Sequence, residues 1–502
     1  MSACRTSLWL GVLFLSLPLV SNGQDAGPAS AEQKVIDVIA RTEGAVVAIA
    51  RVLPGDEPQD EEPGFGRRRW RDPPRSAFIP REFGSGVIVR REPDDGLRFV
   101  LTPRHVISGR SDRVASRPEL VKYQVRLASR HTVPGTLYNQ DERSDLAVLQ
   151  LELNAVGLSP EKVPTMTLGQ AEKLRKGSSI IGLGNPYAVA RDGSASASLG
   201  MISNLSRKTS EGENGTNRPE ESGTIFEFGS LLHVDLRLQL GASGTAILDM
   251  EGNLVGLGTS LAALQGYEST VGFAVPFTAD VRRIVKSLLD GYEVEYGYLG
   301  VGPGDVDLSG QRDNDGNWLP VTAAQLERVL TDSPADVAGL QQGDCVLSVN
   351  DEPVTGSADL MLKVGMLGPE TIARLTVWRP NRGSREQVDV PLGKWPVYDD
   401  SSVIAPNSRH PAWRGLSIDF STARWRFMPP MRRHNPHIRA VVITKVEPGT
   451  AGAKAELQVG DFITEVAGQP VVTPSEFTKA VENATGPVEL RLLDGRSVTL
   501  AP

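Results

Sequence analysis

The chain has 502 residues, too many for a single core, and a prior of about 150 residues per domain predicts three or four units. Its content of 40% hydrophobic and 23% charged residues is that of an ordinary globular protein. The formal net charge of −8 argues against nucleic acid as a partner, because a phosphate-binding surface needs clustered Lys and Arg.

At the N-terminus Arg5 precedes an apolar run from Leu8 to Val20, and Ser21-Asn22-Gly23 follows with small residues at both cleavage-site positions. The run is shorter than the roughly 20 residues a membrane-crossing helix needs. Residues 1–23 therefore read as a signal peptide cleaved after Gly23, in preference to a retained anchor, and the chain reads as exported, to the periplasm or the extracellular space. No later run is apolar and long enough to span a bilayer, so no transmembrane span is expected in the mature chain. Cys4 would leave with the signal, and Cys345 alone would remain, which rules out an internal disulfide and a cysteine metal site. Its place in the strand-like Cys345-Val346-Leu347-Ser348-Val349 predicts a buried structural thiol.

A short helix over Ala31 to Ala40 and a strand over Ala45 to Val52 come next. Residues 54–81, rich in Pro, Gly and charge, cannot bury a core and read as a mobile surface loop. From Phe83 to Ile284 short strands alternate with turns: Gly84 to Val89, Phe99 to Thr102, Asp145 to Leu151, Ser178 to Gly184, Thr245 to Asp249, Leu254 to Thr259 and Val271 to Pro276. That spacing predicts antiparallel barrels or a sandwich, closed by a helix over Ala279 to Leu289. The polar stretch Lys208 to Gly223 reads as a second loop. Beyond it an internal repeat appears. AGLQQGDCVLSVNDEPV (Ala338 to Val354) matches KAELQVGDFITEVAGQPV (Lys454 to Val471), and Gly300 in YLGV matches Gly415 in WRGL. Each repeated motif ends in a candidate helix, Ala358 to Val364 and Ser475 to Val481. The expected division is a β-rich domain over 24–290 and two related modules over 291–396 and 405–502.

The chemistry concentrates in the β-rich domain. His105 follows an apolar strand in FVLTPRHVISG, Asp145 opens another in RSDLAVLQLE, and Ser243 sits in LQLGASGTAIL. Taken singly, each has a plainer reading as a structural histidine, a strand-capping aspartate and a turn serine. Together they supply what a serine hydroxyl needs to become a nucleophile: an imidazole to take its proton and a carboxylate to hold the ring tautomer. The order His, Asp, Ser is one of the convergent orders of this triad. Backbone N–H groups of Gly241 and Ser243 are the candidate oxyanion donors.

On these motifs the chain resembles the HtrA (DegP-like) family of extracytoplasmic serine proteases. FGSGVIV, LTPRHVISG, SDLAVLQL, GLGNPYA, HVDLRLQLGASGTAIL and VGFAVP match successive barrel segments in order. The resemblance implies a mainly β fold, a chymotrypsin-like double β-barrel followed by two α+β PDZ domains. It implies His105 as general base, Asp145 as its orienting carboxylate and Ser243 as nucleophile, with Leu238 lining an apolar specificity pocket beside Arg237. The PDZ resemblance implies two carboxylate-binding loops that capture peptide termini, Tyr298-Leu299-Gly300-Val301 and Trp413-Arg414-Gly415-Leu416. The implied partners are unfolded or C-terminally exposed polypeptides, with a trimer as the family's common assembly, and no cofactor or metal.

Two departures from the family pattern bear on catalysis. Ala242, Thr245 and Ala246 stand where the family has Asn, Gly and Pro, and a β-branched residue at a position requiring positive φ would strain the serine loop. Pro103-Arg104 replaces a small or polar pair before His105 and would re-aim the imidazole. The first reading is an exported serine endopeptidase; the second is a catalytically impaired peptide-binding or chaperone-like protein. His434 with His437, and the calcium-like Asp313-Asn314-Asp315-Gly316-Asn317, lack further ligands and read as loops.

Overall fold

The structure is a computed structural model that describes residues 28–52, 82–108, 121–185, 193–207, 225, 230–236, 238, 241–259, 272–398, 403–428 and 437–502. The expected signal peptide, the loops at 54–81 and 208–223, Arg237 and His434 lie outside the described residues.

After helix α1 (Pro28–Thr42), strands β1 (Val46–Val52), β2 (Glu82–Val89) and β3 (Phe99–Pro103) lead into the short helix α2 (Arg104–Ser108). Strands β4 (Lys122–Arg126), β5 (Thr132–Asp141) and β6 (Leu146–Leu151) complete a closed barrel in the order β1-β2-β3-β6-β5-β4. A second closed barrel contains β7 (Ser179–Gly184), β8 (Ser196–Arg207), β9 (Leu231–Val234), β10 (Ala246–Leu248), β11 (Leu254–Thr259) and β12 (Gly272–Pro276). Every residue of β1, β3 and β11 is buried, because one face fills its barrel and the other is covered by neighbouring elements. These strands read in sequence as continuous apolar runs. The double barrel of the expected mainly β fold is therefore present.

The sequence reading did not name β4, β5, β8 or β9. In β4 and β5 buried positions are interleaved with exposed ones, so their apolar content is diluted. Helix α3 (Ala279–Leu289) matches its expected bounds; Thr278 caps it by accepting from Val281 N, and Val281, Ile284, Val285 and Leu288 enter the barrel core.

The repeat folds twice in one order. The first module has β13 (Gly297–Tyr298), β14 (Val301–Asp307), β15 (Thr322–Val329), α4 (Pro334–Val337), β16 (Cys345–Val349), β17 (Glu352–Pro353), α5 (Ser357–Leu367), β18 (Ile372–Arg379), β19 (Ser384–Pro391) and β20 (Gly393–Lys394). The second has β21 (Leu416–Phe420), β22 (Val441–Val446), α6 (Ala451–Lys454), β23 (Phe462–Val466), β24 (Gln469–Pro470), α7 (Pro474–Val481), β25 (Val488–Leu492) and β26 (Ser497–Leu500). Their sheets run β14-β15-β16-β18-β19 and β21-β22-β23-β25-β26, with a bulge at the same place, Gly302/Pro303 and Ser417/Ile418. Cys345 lies inside the first sheet's packing, and burial pushes its thiol up to about 11. The two modules meet at Lys394, which is 2% exposed and whose Nζ lies 2.9, 3.0 and 3.1 Å from Glu293, Glu295 and Asp419.

Candidate active site

Strand pairing brings the first two residues of the site together. In the β3/β6 ladder Pro103 lies opposite Leu146, so the residues just beyond Pro103 and just before Leu146 emerge at one barrel end. Arg104 N donates to Asp145 O at 2.7 Å, and His105 N donates to Asp145 Oδ1 at 2.9 Å. The second carboxylate oxygen, Oδ2, lies 2.7 Å from His105 Nδ1. With Nδ1–H given to this carboxylate, Nε2 faces Ser243 Oγ at 2.9 Å as an acceptor. Pro103 closes β3 in register, and the ring keeps both contacts, so the expected re-aiming of the imidazole does not occur.

Ser243 comes from the other barrel, on the loop before β10, and β2 ties it across the cleft. Ser85 N donates to Ser243 O at 2.7 Å. Ser85 is itself buried: its carbonyl accepts from Thr102 Oγ1 at 2.8 Å and its hydroxyl from Asn185 N at 3.0 Å. Neither Ser85 nor Thr102 was singled out from sequence, although both lie in stretches already read as the first-barrel strand and the His motif.

The strain expected at Thr245 is absent. Positive φ falls on Gly241 (85°) and Gly244 (89°), whereas Thr245 is not among the positive-φ residues. Thr245 is buried, and its N–H and Oγ1 both bond to Ala242 O, at 2.9 and 2.6 Å. The β-branched side chain thus braces the turn. Leu238 packs beside β11 and β12: a Cβ added at Gly258 or Gly272 would lie 3.2 or 2.9 Å from its Cδ1.

The loop carrying Asp145 is gripped from the side facing the repeats. Arg143 places its guanidinium 4.9 Å from the Trp395 ring centroid and 5.6 Å from that of Tyr296, and donates to Pro396 O at 2.7 Å. Tyr296 Oη donates to Asp141 Oδ2, which also accepts from Ser144 N at 2.9 Å. Burial pushes the Asp141 carboxyl up. Sequence reasoning missed this brace because its partners lie far apart along the chain.

Among the described residues there is no cluster of three metal-ligating side chains, and no helix is long and apolar enough to cross a membrane. His437, weighed as a ligand, is 8% exposed, and a Cβ added at Gly393 of β20 would lie 3.8 Å from its ring. Burial first, then nearby Arg439, pushes its pKa down to about 4. The folded state then binds fewer protons than the unfolded chain between about pH 4 and 6.5, so stability falls as pH drops through that window. Urea midpoints at pH 7 and pH 5 are expected to differ less in His437→Gln than in the wild type; equal differences would contradict a neutral buried imidazole.

The description "Trypsin-like peptidase domain" matches residues 84–257, and "PDZ domain" matches residues 326–379 and 442–493. Fold, site and these matches define a trypsin-type serine endopeptidase followed by two PDZ domains. A probable periplasmic serine endoprotease, DegP-like, of Pseudomonas fulva is 29% identical over 485 residues, 93% of this chain and 88% of that one. A probable periplasmic serine protease, do/HhoA-like, of Haemophilus influenzae is 26% identical over 417 residues, 83% of this chain and 77% of that one. The chain is thus similar, over most of its length, to proteins named DegP-like and do/HhoA-like periplasmic serine proteases. A solved structure of the HtrA-type protease AlgW with a tripeptide is 22% identical, covers 72% of this chain and 97% of its own, and superposes with a TM-score of 0.48.

Proposed function

We propose that the chain is an exported endopeptidase that cleaves unfolded or C-terminally exposed polypeptides through an acyl-enzyme. The observation that carries the reading is the continuous relay from Ser243 Oγ to His105 Nε2 at 2.9 Å and from Nδ1 to Asp145 at 2.7 Å. Ser243 attacks the scissile carbonyl, His105 takes its proton and returns it to the leaving amine, and Asp145 stabilises the imidazolium. The N–H groups of Gly241 and Ser243 receive the oxyanion. In support, Ala242 C=O is turned toward Thr245 N and Oγ1, so the Ser243 N–H on the same trans peptide points the opposite way. Leu238 favours an apolar side chain before the cleaved bond. The two PDZ modules, at Tyr298 to Val301 and Trp413 to Leu416, capture chain termini and present the substrate. The signal-like residues 1–23 and the periplasmic relatives support export, and the resemblance supports a trimeric assembly.

The test is covalent labelling. A fluorophosphonate probe is expected to label the wild-type chain on Ser243 and to leave Ser243→Ala unlabelled, with casein hydrolysis lost in the same variant. Folded wild-type protein that neither reacts nor cleaves would overturn the enzymatic reading.

A further inference from the structure

The two PDZ modules share a fold but differ at the entrance of the peptide cleft. In each, the glycine of the loop turns its carbonyl to the second strand: Leu330 N donates to Gly300 O at 2.9 Å, and Glu447 N donates to Gly415 O at 2.8 Å. Antiparallel alternation then directs the backbone groups of the next residue, Val301 or Leu416, to the open strand edge. That edge is where an added peptide strand would pair.

In the second module the edge is already used. Trp413 N donates to Leu416 O, and Leu416 N donates to Trp413 O, each at 2.9 Å. Arg414 (φ 49°) and Gly415 (φ 82°) form the two-residue turn between them, with positive φ at both positions as a type I′ turn requires. The indole of Trp413 packs against the module's core, its centroid 5.9 Å from Phe477 of α7 at an interplanar angle of 82°. The Arg414 guanidinium lies 4.5 Å from the Trp413 ring centroid and donates to three neutral carbonyls, at 2.7 Å to Leu500, 2.7 Å to Gly486 and 3.2 Å to Ala484. In the first module the equivalent Tyr298 is instead paired with Gly393, and Leu299 lacks the positive φ of Arg414.

We infer that Trp413 is an internal ligand of the second PDZ module, standing where the last residue of a bound chain would stand, and that the cleft fits a polypeptide C-terminus ending in an aromatic residue. This rests on the reading that the PDZ modules take chain termini. An aromatic side chain replaces the indole against Phe477, the terminal residue's backbone replaces the Trp413 bonds to Leu416, and the new carboxylate meets the Arg414 cation. The observed affinity is the intrinsic affinity scaled by the open fraction, so the internal ligand weakens binding by occupying the cleft, with the cleft's own residues unchanged.

The experiment uses the full chain carrying Ser243→Ala. The probes are fluorescein-labelled peptides with an upstream benzophenone, ending in Trp, in Ala, or in Trp amide. The Trp-ended acid is expected to bind and to cross-link to β21 and α7. The added change Trp413→Ala is expected to tighten that binding by roughly tenfold or more. The amide and the Ala-ended peptide are expected to bind the second module at least about tenfold more weakly. Trp413→Leu, which keeps an apolar filler, guards against a folding defect and is expected to fall between the two. Unchanged affinity in both Trp413 variants, or equal binding of acid and amide, overturns the inference. So do cross-links confined to the first module, which leave the general peptide reading standing. No cross-link to either module overturns both.

Discussion

Asp145→Asn is expected to leave the chain folded and to lower kcat by about 10⁴-fold. The reason lies in the two contacts of this carboxylate. Oδ1 accepts the backbone N–H of His105 at 2.9 Å and Oδ2 faces His105 Nδ1 at 2.7 Å. An asparagine must keep its oxygen on the backbone N–H, which cannot turn away, so its NH₂ faces Nδ1. The imidazole then presents Nδ1 as an acceptor and carries its proton on Nε2, opposite Ser243 Oγ. No base remains for the serine. The fold survives because the loop's main-chain ties, Arg104 N to Asp145 O at 2.7 Å and Ser144 N to Asp141 at 2.9 Å, do not use the Asp145 carboxylate. Peptide hydrolysis and a thermal melt on one preparation check this. A kcat within tenfold of wild type, with the fold intact, removes Asp145 from the proposed relay.

The same loop connects the chemistry to the rest of the molecule. Asp145 has φ 50°, in the left-handed region, and its loop is fastened outward through Arg143 to Trp395 and Pro396 and through Asp141 to Tyr296. These partners belong to the segments that enter and leave the first PDZ sheet. The Asp145 carboxylate is therefore held by its own barrel on one side and by the interdomain segments on the other.

Much of this architecture was legible because its strands are buried on both faces and read as apolar runs. The β11 segment Leu254–Thr259 matches its expected bounds for that reason, whereas the helix Ala279–Leu289 matches because Thr278 caps it and one apolar face recurs at helical spacing. Strands exposed on one face were not legible: β8 carries Leu199 and Met201 at 61% and 47% exposure among polar residues, and its alternation resembles a loop. The His, Asp and Ser motifs were found because each combines a reactive side chain with a strand end. Ser85, Thr102, Arg143 and Tyr296 act only through contacts made in three dimensions, and no local spacing announces them. The repeat aligned the two proposed PDZ loops, but equivalence by repeat concealed the Trp413 hairpin. That difference depends on one backbone angle, positive at Arg414 and not at Leu299. The concern over Thr245 failed for a related reason: the unusual backbone falls one residue earlier, where the chain has glycine.

That glycine supplies the second large effect. Gly244→Ala is expected to lower kcat by at least about 10²-fold and stability by about 1–3 kcal/mol. Gly244 has φ 89°, and a Cβ there would lie 1.8 Å from Ser85 O and 2.5 Å from Ser85 C. Ser85 cannot retreat without breaking its bonds to Thr102 and Asn185, so the displacement falls on the serine loop. Moving that loop breaks Ser85 N to Ser243 O (2.7 Å) and Gly244 N to Gly258 O (2.8 Å), the two ties that aim Ser243 across the cleft. A shift of about 1 Å at the reacting atoms accounts for the expected rate loss. Thr245→Ser provides the contrast: it keeps the hydroxyl that bonds Ala242 O at 2.6 Å, and its kcat is expected within about threefold of wild type. Fluorophosphonate labelling rates and urea midpoints on the two variants separate the cases. If Gly244→Ala labels as fast as the wild type, the loop does not depend on its left-handed turn and the strain argument for this position is wrong.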